Sequence, residues 1–240
     1  MTGQALPRHP APVAAAAPAL SVVVPTHDTR ELTLRCLAAL AAARPGPAEV
    51  ILVDDGSRDG TAEAAAASYP GLRLLRQQAP LGFTAAANAG VAQASGELLL
   101  LLNSDTEVAP DALGALQEAF AADPALGVAG AALFYPGGEA QWSGGAEPGA
   151  AWLLALASGL PVRLAGARGW RRRRPVSGHG GGPVAWVTGA ALACRRAVWE
   201  QVGPLDARFA LYGQDLDFCL RAGERGWRVA VVAASHVVHH

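Results

Sequence analysis

The sequence contains no lysine; all 19 of its Lys and Arg residues are arginines. That absence excludes a Walker-type phosphate loop, a Schiff-base enzyme and a lysine general base. Cysteine is scarce too: Cys36, Cys194 and Cys219 are widely spaced, odd in number and free of any CxxC pattern. Neither a disulfide framework nor a zinc site can be built from them, so they read as reduced, buried residues of a cytosolic protein. Long apolar runs are missing. Ala150 to Leu156 falls far short of the roughly 20 residues that span a bilayer, and residues 1–19 show no secretory pattern. A soluble, cytoplasmic protein is expected, with work at the inner face of a membrane still open to it. The net charge of −1 supplies no general attraction to nucleic acid or to an acidic membrane.

With 51% hydrophobic and 16% charged residues, the 240-residue chain is globular and long enough for one substantial core. Residues 1–19, rich in Ala and Pro, read as a flexible tail ahead of a folded unit at 20–240. Leu20 to Thr26, Glu49 to Val53, Leu72 to Leu75 and Leu98 to Leu102 read as strands. Between them lie helical patterns: one with Leu32, Cys36, Leu37 and Leu40 on its apolar face, one from Gly60 to Ser68, and one from Thr84 to Ala94. Strands apolar on both faces that alternate with helices predict an α/β fold, a mostly parallel sheet with helices on both faces.

The second half is less regular. A helix from Pro110 to Ala122, strands at Gly127 to Tyr135, Val184 to Cys194 and Arg228 to Val232, and helices at Arg195 to Gln201 and Gln214 to Glu224 are expected. The stretch 137–183, rich in Gly, Pro, Trp and Arg, reads as irregular with a mobile loop. Arg168 and Arg171 to Arg174 flank Trp170; a solvated loop is favoured over a phosphate-binding one.

In parallel sheets ligands sit beyond the carboxyl ends of the strands. Thr26 follows the first strand, Asp54 and Asp55 the second, Asn103 and Asp105 the fourth. Asp54-Asp55-Gly-Ser57 holds more acid than a helix cap requires. Asp55 can accept the imide N–H of a pyrimidine base, while Asp59 and Thr61 stay with capping. Asp105, at the mouth of a buried strand, costs desolvation energy unless something neutralises it; a divalent cation, Mg²⁺ or Mn²⁺, bridging it to a diphosphate would do so. Leu81-Gly-Phe-Thr84 to Asn88 suits either tight helix-on-sheet packing or donor contact through Asn88, the two weighing evenly. On the Gln214 helix, Asp217 has Arg221 at i+4 and reads as structural. Asp215 has no such partner and is the candidate general base. Among the terminal histidines His236, His239 and His240, one at the strand end could join a cation held by Asp105.

Taken together, Val-Val-Val-Pro-Thr26, Val-Asp-Asp-Gly-Ser57-Arg-Asp-Gly-Thr61, Leu-Gly-Phe83 to Asn88-Ala-Gly90, Gly96 to Asn-Ser-Asp105, and Phe209 to Gln-Asp-Leu-Asp-Phe-Cys-Leu-Arg221 resemble the family 2 glycosyltransferases of the GT-A fold. The resemblance covers about residues 20–240. It implies a Rossmann-like, nucleotide-sugar-binding half at 20–106 and an acceptor-side half at 107–240. It implies an inverting transfer from a nucleoside-diphosphate sugar to a saccharide or lipid-linked acceptor in cell-surface polysaccharide synthesis. Thr26, Asp55, Asn88, Ser104 and Asp105 would hold the donor, Asp105 and His239 the metal, and Asp215 would be catalytic. Two residues depart from the family pattern: Gln214 stands where a Glu usually precedes the catalytic Asp, and Asn103 where the metal motif usually begins with Asp. The chain also ends at His240, where relatives usually continue. The alternative is therefore a non-catalytic or truncated nucleotide-sugar-binding domain. A nucleotidyltransferase would want a Gly-rich loop in place of Pro25-Thr26-His27-Asp28, and no GxGxxG follows any strand, which disfavours a dehydrogenase.

Overall fold

The structure, a computed structural model, describes residues 19–147, 149, 180–209 and 212–240. The apolar stretch 150–156 and the arginine run at 168–174 lie outside the described residues, as does most of the 137–183 region.

The first half alternates strand and helix as its pattern requires: β1 (Leu20–Thr26), α1 (Arg30–Ala42), β2 (Glu49–Asp54), α2 (Thr61–Ser68), β3 (Arg73–Arg76), α3 (Phe83–Val91) and β4 (Leu98–Leu102). The rest comprises β5 (Thr106–Val108), α4 (Ala112–Ala122), β6 (Leu126–Phe134), β7 (Gly144–Gly145), β8 (Gly182–Pro183), β9 (Trp186–Val187), β10 (Ala191–Arg195), α5 (Arg196–Val202), α6 (Gln214–Glu224) and β11 (Arg228–His239). The main sheet runs β3-β2-β1-β4-β10-β6-β11-β5, with β8 beside β11. β3, β2, β1 and β4 are mutually parallel. β10 is antiparallel to both β4 and β6, and β11 is parallel to β6. Two reversals cancel, so the carboxyl ends of β4, β6 and β11 share the edge at which β1 and β2 end.

Side chains alternate between two cores. Val22, Val24, Leu52, Leu98, Leu100 and Leu102 pack against α1, α2 and α4; Val23, Ile51, Val53, Leu99 and Leu101 pack against α3 and α6. All five leucines of β4 are buried, each worth about 1.5–3 kcal/mol relative to exposure. On α3 the alanines and Gly90 allow a close approach to the sheet. A Cβ on Gly90 would overlap Val23 and crowd Val53.

Three local expectations change. On α1 the buried stripe is Thr33, Cys36, Leu37 and Leu40, with Leu32 only partly buried, and the side chain of Thr29 at the N-cap meets the Thr33 hydroxyl at 3.1 Å but no backbone amide of the helix. Asp59 reaches across instead and accepts the Arg30 amide at 2.9 Å. The strand expected at Val184 to Cys194 is two, β9 and β10, separated at Gly189, whose amide is drawn to Asp215. The last strand does not stop at Val232. A register shift between Val232 and His236 carries it on to His239, where it pairs antiparallel with β5.

Candidate active site at the carboxyl edge of the sheet

Thr26, the last residue of β1, is buried, and its hydroxyl bonds those of Thr29 at 2.9 Å and Thr33 at 2.7 Å. Thr29 in turn meets Ser104 Oγ at 3.0 Å, so a chain of hydroxyls ties the end of β1 to the turn after β4. Asp54 accepts the Ser57 amide through Oδ1 at 3.1 Å and faces Arg76 across 3.4 Å through Oδ2.

Asp55 is 5% exposed, and both of its oxygens are engaged. Oδ1 accepts the Leu81 amide at 2.7 Å and Oδ2 the Gly82 amide at 2.8 Å. The carboxylate thus fixes the loop that leads into α3. His27, which the sequence reading passed over, donates Nδ1–H to the Asp55 carbonyl at 2.7 Å, because a carbonyl can only accept. Asp59 accepts the amide and hydroxyl of Thr61 at 3.0 and 2.5 Å, which closes the turn before α2; the helix N-cap itself is Gly60, with no side-chain cap, so the pair does not cap the helix as expected.

Asn88 spans the Leu205 peptide groups. Its Nδ2 donates to Leu205 O at 2.8 Å, and its Oδ1 accepts from Leu205 N at 3.0 Å. Thr84, one turn earlier, donates to Phe209 O at 2.5 Å. α3 therefore carries the 205–209 segment that leads to α6, and Asn88 is a strut in that connection.

The opposite side of the crevice gathers Asn103, Asp105 and His239, as the sheet order requires. His239 Nε2 lies 3.4 Å from Asp105 Oδ1 and 3.5 Å from Asn103 Nδ2. Behind the ring, Gln141 Nε2 donates to the His239 carbonyl at 2.7 Å while Gln141 Oε1 sits 2.9 Å from Nδ1. The carbonyl can only accept, so the amide nitrogen must face it and Oε1 must face Nδ1; in the neutral ring Nδ1 then carries the proton and Nε2 presents its lone pair to Asp105. Asn103 Oδ1 is buried with no hydrogen-bond partner. A carboxylate and an unprotonated imidazole nitrogen 3.4 Å apart suit Mn²⁺ or Mg²⁺, while Asn103 turns its amide nitrogen, not Oδ1, toward the ring. Among the described residues no group of three or more His, Cys, Asp or Glu side chains gathers to hold a metal. The protein's own ligand set is thus partial, and a diphosphate would have to complete it.

Asp215 opens α6 after Gly213, whose φ of 91° is a left-handed conformation suited to glycine. Its Oδ2 accepts the Gly189 amide at 2.8 Å and its Oδ1 the Leu216 amide at 2.9 Å. Gly189 lies just before β10, whose Ala191 pairs with Leu102, so Asp215 is held at the same edge as Asn103. Gln214 is 6% exposed, and its Oε1 has no partner. Asp217 pairs with Arg221 at 2.8 Å, as its spacing predicted, and Arg221 also donates to Val202 O and Pro204 O. Two cavities, of about 420 and 400 Å³, lie elsewhere, one beside Leu220 and Trp227 and one beneath Leu40 and Tyr69. Neither includes the strand-end acids, which locate the site by their chemistry.

Among the described residues no helix is long and apolar enough to cross a membrane. Over 235 residues the chain is 32% identical to the N-acetylglucosaminyl-diphospho-decaprenol L-rhamnosyltransferase of Mycobacterium tuberculosis, covering 92% of this chain and 76% of that one. It is 34% identical over 234 residues to the O-antigen biosynthesis protein RfbC of Myxococcus xanthus, covering 93% of this chain and 17% of that one. The fold is similar to that of the mannosyltransferase PcManGT from Pyrobaculum calidifontis, solved in complex with GDP-Man and Mn²⁺. The TM-score is 0.64 at 22% identity, over 98% of this chain and 60% of that one. The strand-end acids, the GT-A-type sheet that carries them and a match of residues 21–194 to the model of that family agree: the chain belongs to glycosyl transferase family 2.

Proposed function

We propose that this glycosyltransferase moves a hexose or rhamnose, with inversion, from a nucleoside diphosphate held by a divalent cation to a hydroxyl of a saccharide or lipid-linked acceptor. The observation that carries the reading is the approach of His239 Nε2, left unprotonated by the bond its Nδ1 makes, to within 3.4 Å of Asp105 Oδ1 at the end of the sheet. A cation bound there would neutralise the diphosphate as it leaves. The Thr26, Thr29 and Ser104 hydroxyls lie between that point and Asp55, where the nucleoside would lie. In this reading residues 20–106 supply the donor side and 107–240 the acceptor side. Asp215, held by the Gly189 amide, takes the proton of the acceptor hydroxyl as its oxygen attacks the anomeric carbon opposite the leaving group. The lipid-linked acceptor is suggested by the decaprenol diphosphate in the mycobacterial relative's name.

Calorimetry with uridine, thymidine and guanosine diphosphates, with and without Mn²⁺, followed by transfer assays, tests the reading. Asp215→Asn is expected to lower turnover at least about 100-fold, the low end of what a positioned base contributes, while leaving donor binding intact. Asp217→Asn, which removes only the ion pair to Arg221, should keep turnover within a few-fold. Donor binding without turnover in the unaltered protein would make the chain a nucleotide-sugar-binding domain, a reading that Gln214 in place of an acid favours.

A further inference from the structure

Gln141 lies in the loop between β6 and β7, and sequence reasoning attached no role to it. Its position is rigid. Its amide donates to Leu133 O at 2.7 Å, and Ser143 Oγ accepts the Leu133 amide at 2.9 Å and donates to Gln141 O at 3.3 Å. Phe134 and Ala140 form an isolated bridge beside them, so the loop folds back on β6. On the other side, His239 is fixed by pairing with Thr106 of β5. The carboxamide touches His239 twice, once on the backbone carbonyl and once on the ring, and the two bonds determine each other. A flipped amide would set oxygen against oxygen at 2.7 Å.

We propose that Gln141 is a positioning residue that holds His239 as its Nδ1–H tautomer and keeps Nε2 bare toward Asp105. The part played in cation binding rests on the metal reading above; the tautomer does not. Without the Oε1 acceptor only the long 3.5 Å contact of Asn103 Nδ2 with Nε2 still favours the proton on Nδ1. On Nε2 it can point at Asp105 Oδ1, 3.4 Å away, and the resulting His–Asp hydrogen bond would occupy both groups that a cation needs.

The experiment uses the full chain. Ring ¹H–¹⁵N correlation spectra of the cation-free protein, in mildly alkaline buffer, read the tautomer directly, with the His239 signals assigned by their loss in His239→Gln. The unaltered protein should show Nδ1–H, and Gln141→Leu should show Nε2–H. Titration with Mn²⁺, alone and with uridine or thymidine diphosphate, followed by electron paramagnetic resonance, should show affinity lowered about 10–100-fold in Gln141→Leu. An Nε2–H tautomer in the unaltered protein would overturn the proposal, and that spectrum needs no variant to fold. A tautomer that switches as expected with Mn²⁺ affinity unmoved would instead overturn the cation site, and with it the positioning role.

Discussion

Asp55 offers the sharpest test, because its two carboxylate oxygens each hold one backbone amide in a nearly dry place. Asp55→Asn leaves volume almost unchanged but keeps only one acceptor; the other position becomes an amide facing the N–H of Leu81 or Gly82. One buried donor is then orphaned, at about 1–3 kcal/mol, and the surviving bond loses the charge that made it roughly twice as strong as a neutral one. Together these cost about 2–4 kcal/mol. At about 2–4 °C per kcal/mol for a domain of this size, the melting midpoint should fall by roughly 5–15 °C. Thermal unfolding followed by circular dichroism, with no nucleotide or metal present, measures this without reference to activity. Loss of nucleotide binding would accompany the shift, since the loop entering α3 is what Asp55 fixes. A midpoint within about 1 °C of the unaltered protein would show that the carboxylate does not hold the loop. Asp55 would then be free for the nucleotide alone.

Two further outcomes follow from the cysteines and from Glu49. Cys36, Cys194 and Cys219 are fully buried, and burial pushes the Cys36 and Cys219 thiols up to about 12 and that of Cys194 higher still. A thiol-specific chromogenic disulfide should therefore find no fast-reacting cysteine in the native protein and three after denaturation; one rapid equivalent in the native state would contradict this packing. Glu49 is partly desolvated, which alone would raise its pKa, but hydrogen bonds from the Ser21 and Ser95 hydroxyls and the Ser95 amide, with the charge of Arg73, outweigh this and lower it below the usual 4.5. A lowered folded-state pKa stabilises above the unfolded value, and that contribution is lost as pH falls through the folded one. The stability advantage over Glu49→Gln should thus be constant between about pH 5 and 7 and shrink below about pH 4; an advantage that persists at pH 2 would contradict it.

Much of this was legible in the sequence because it depends on local order. Five consecutive leucines ending in Asn-Ser-Asp place Asp105 at a strand mouth whatever the rest of the sheet does, and the i+4 spacing of Asp217 and Arg221 is realised as an ion pair. What escaped depends on pairings far apart along the chain. Gln141 meets His239 across 98 residues and Asn88 meets Leu205 across 117, and no periodicity announces either. β5 was missed because three residues are too few for a pattern. The continuation of β11 was missed because Ala233-Ala-Ser-His236, where the register shifts, interrupts the apolar run.

Residue type gave no way to separate the groups that shape the crevice from those left to meet a ligand; hydrogen-bond bookkeeping does. Asp55 and Asn88 were both expected at the donor, and both give their polar atoms to backbone amides or carbonyls, which fixes the floor of the crevice and the segment leading to α6. A buried polar atom without a partner costs about 1–3 kcal/mol, and a fold retains it only where something else offsets the cost. Asn103 Oδ1, two residues before Asp105, and Gln214 Oε1, one residue before Asp215, are two such atoms among the described residues, as are Gln77 Oε1 and Ser235 Oγ, to which no role in the reaction is given. The same two positions carry the departures from the family's acidic pattern. An amide in place of an acid at each removes a negative charge from beside Asp105 and from beside Asp215 while leaving an oxygen free to accept. In the proposed reaction the Gln214 oxygen meets a sugar hydroxyl, while Asn103 turns its amide nitrogen to the His239 ring. Gln214→Ala then deletes no bond that the ligand-free fold makes through its Oε1, so the loss of that oxygen should register in ligand affinity before it registers in the melting midpoint.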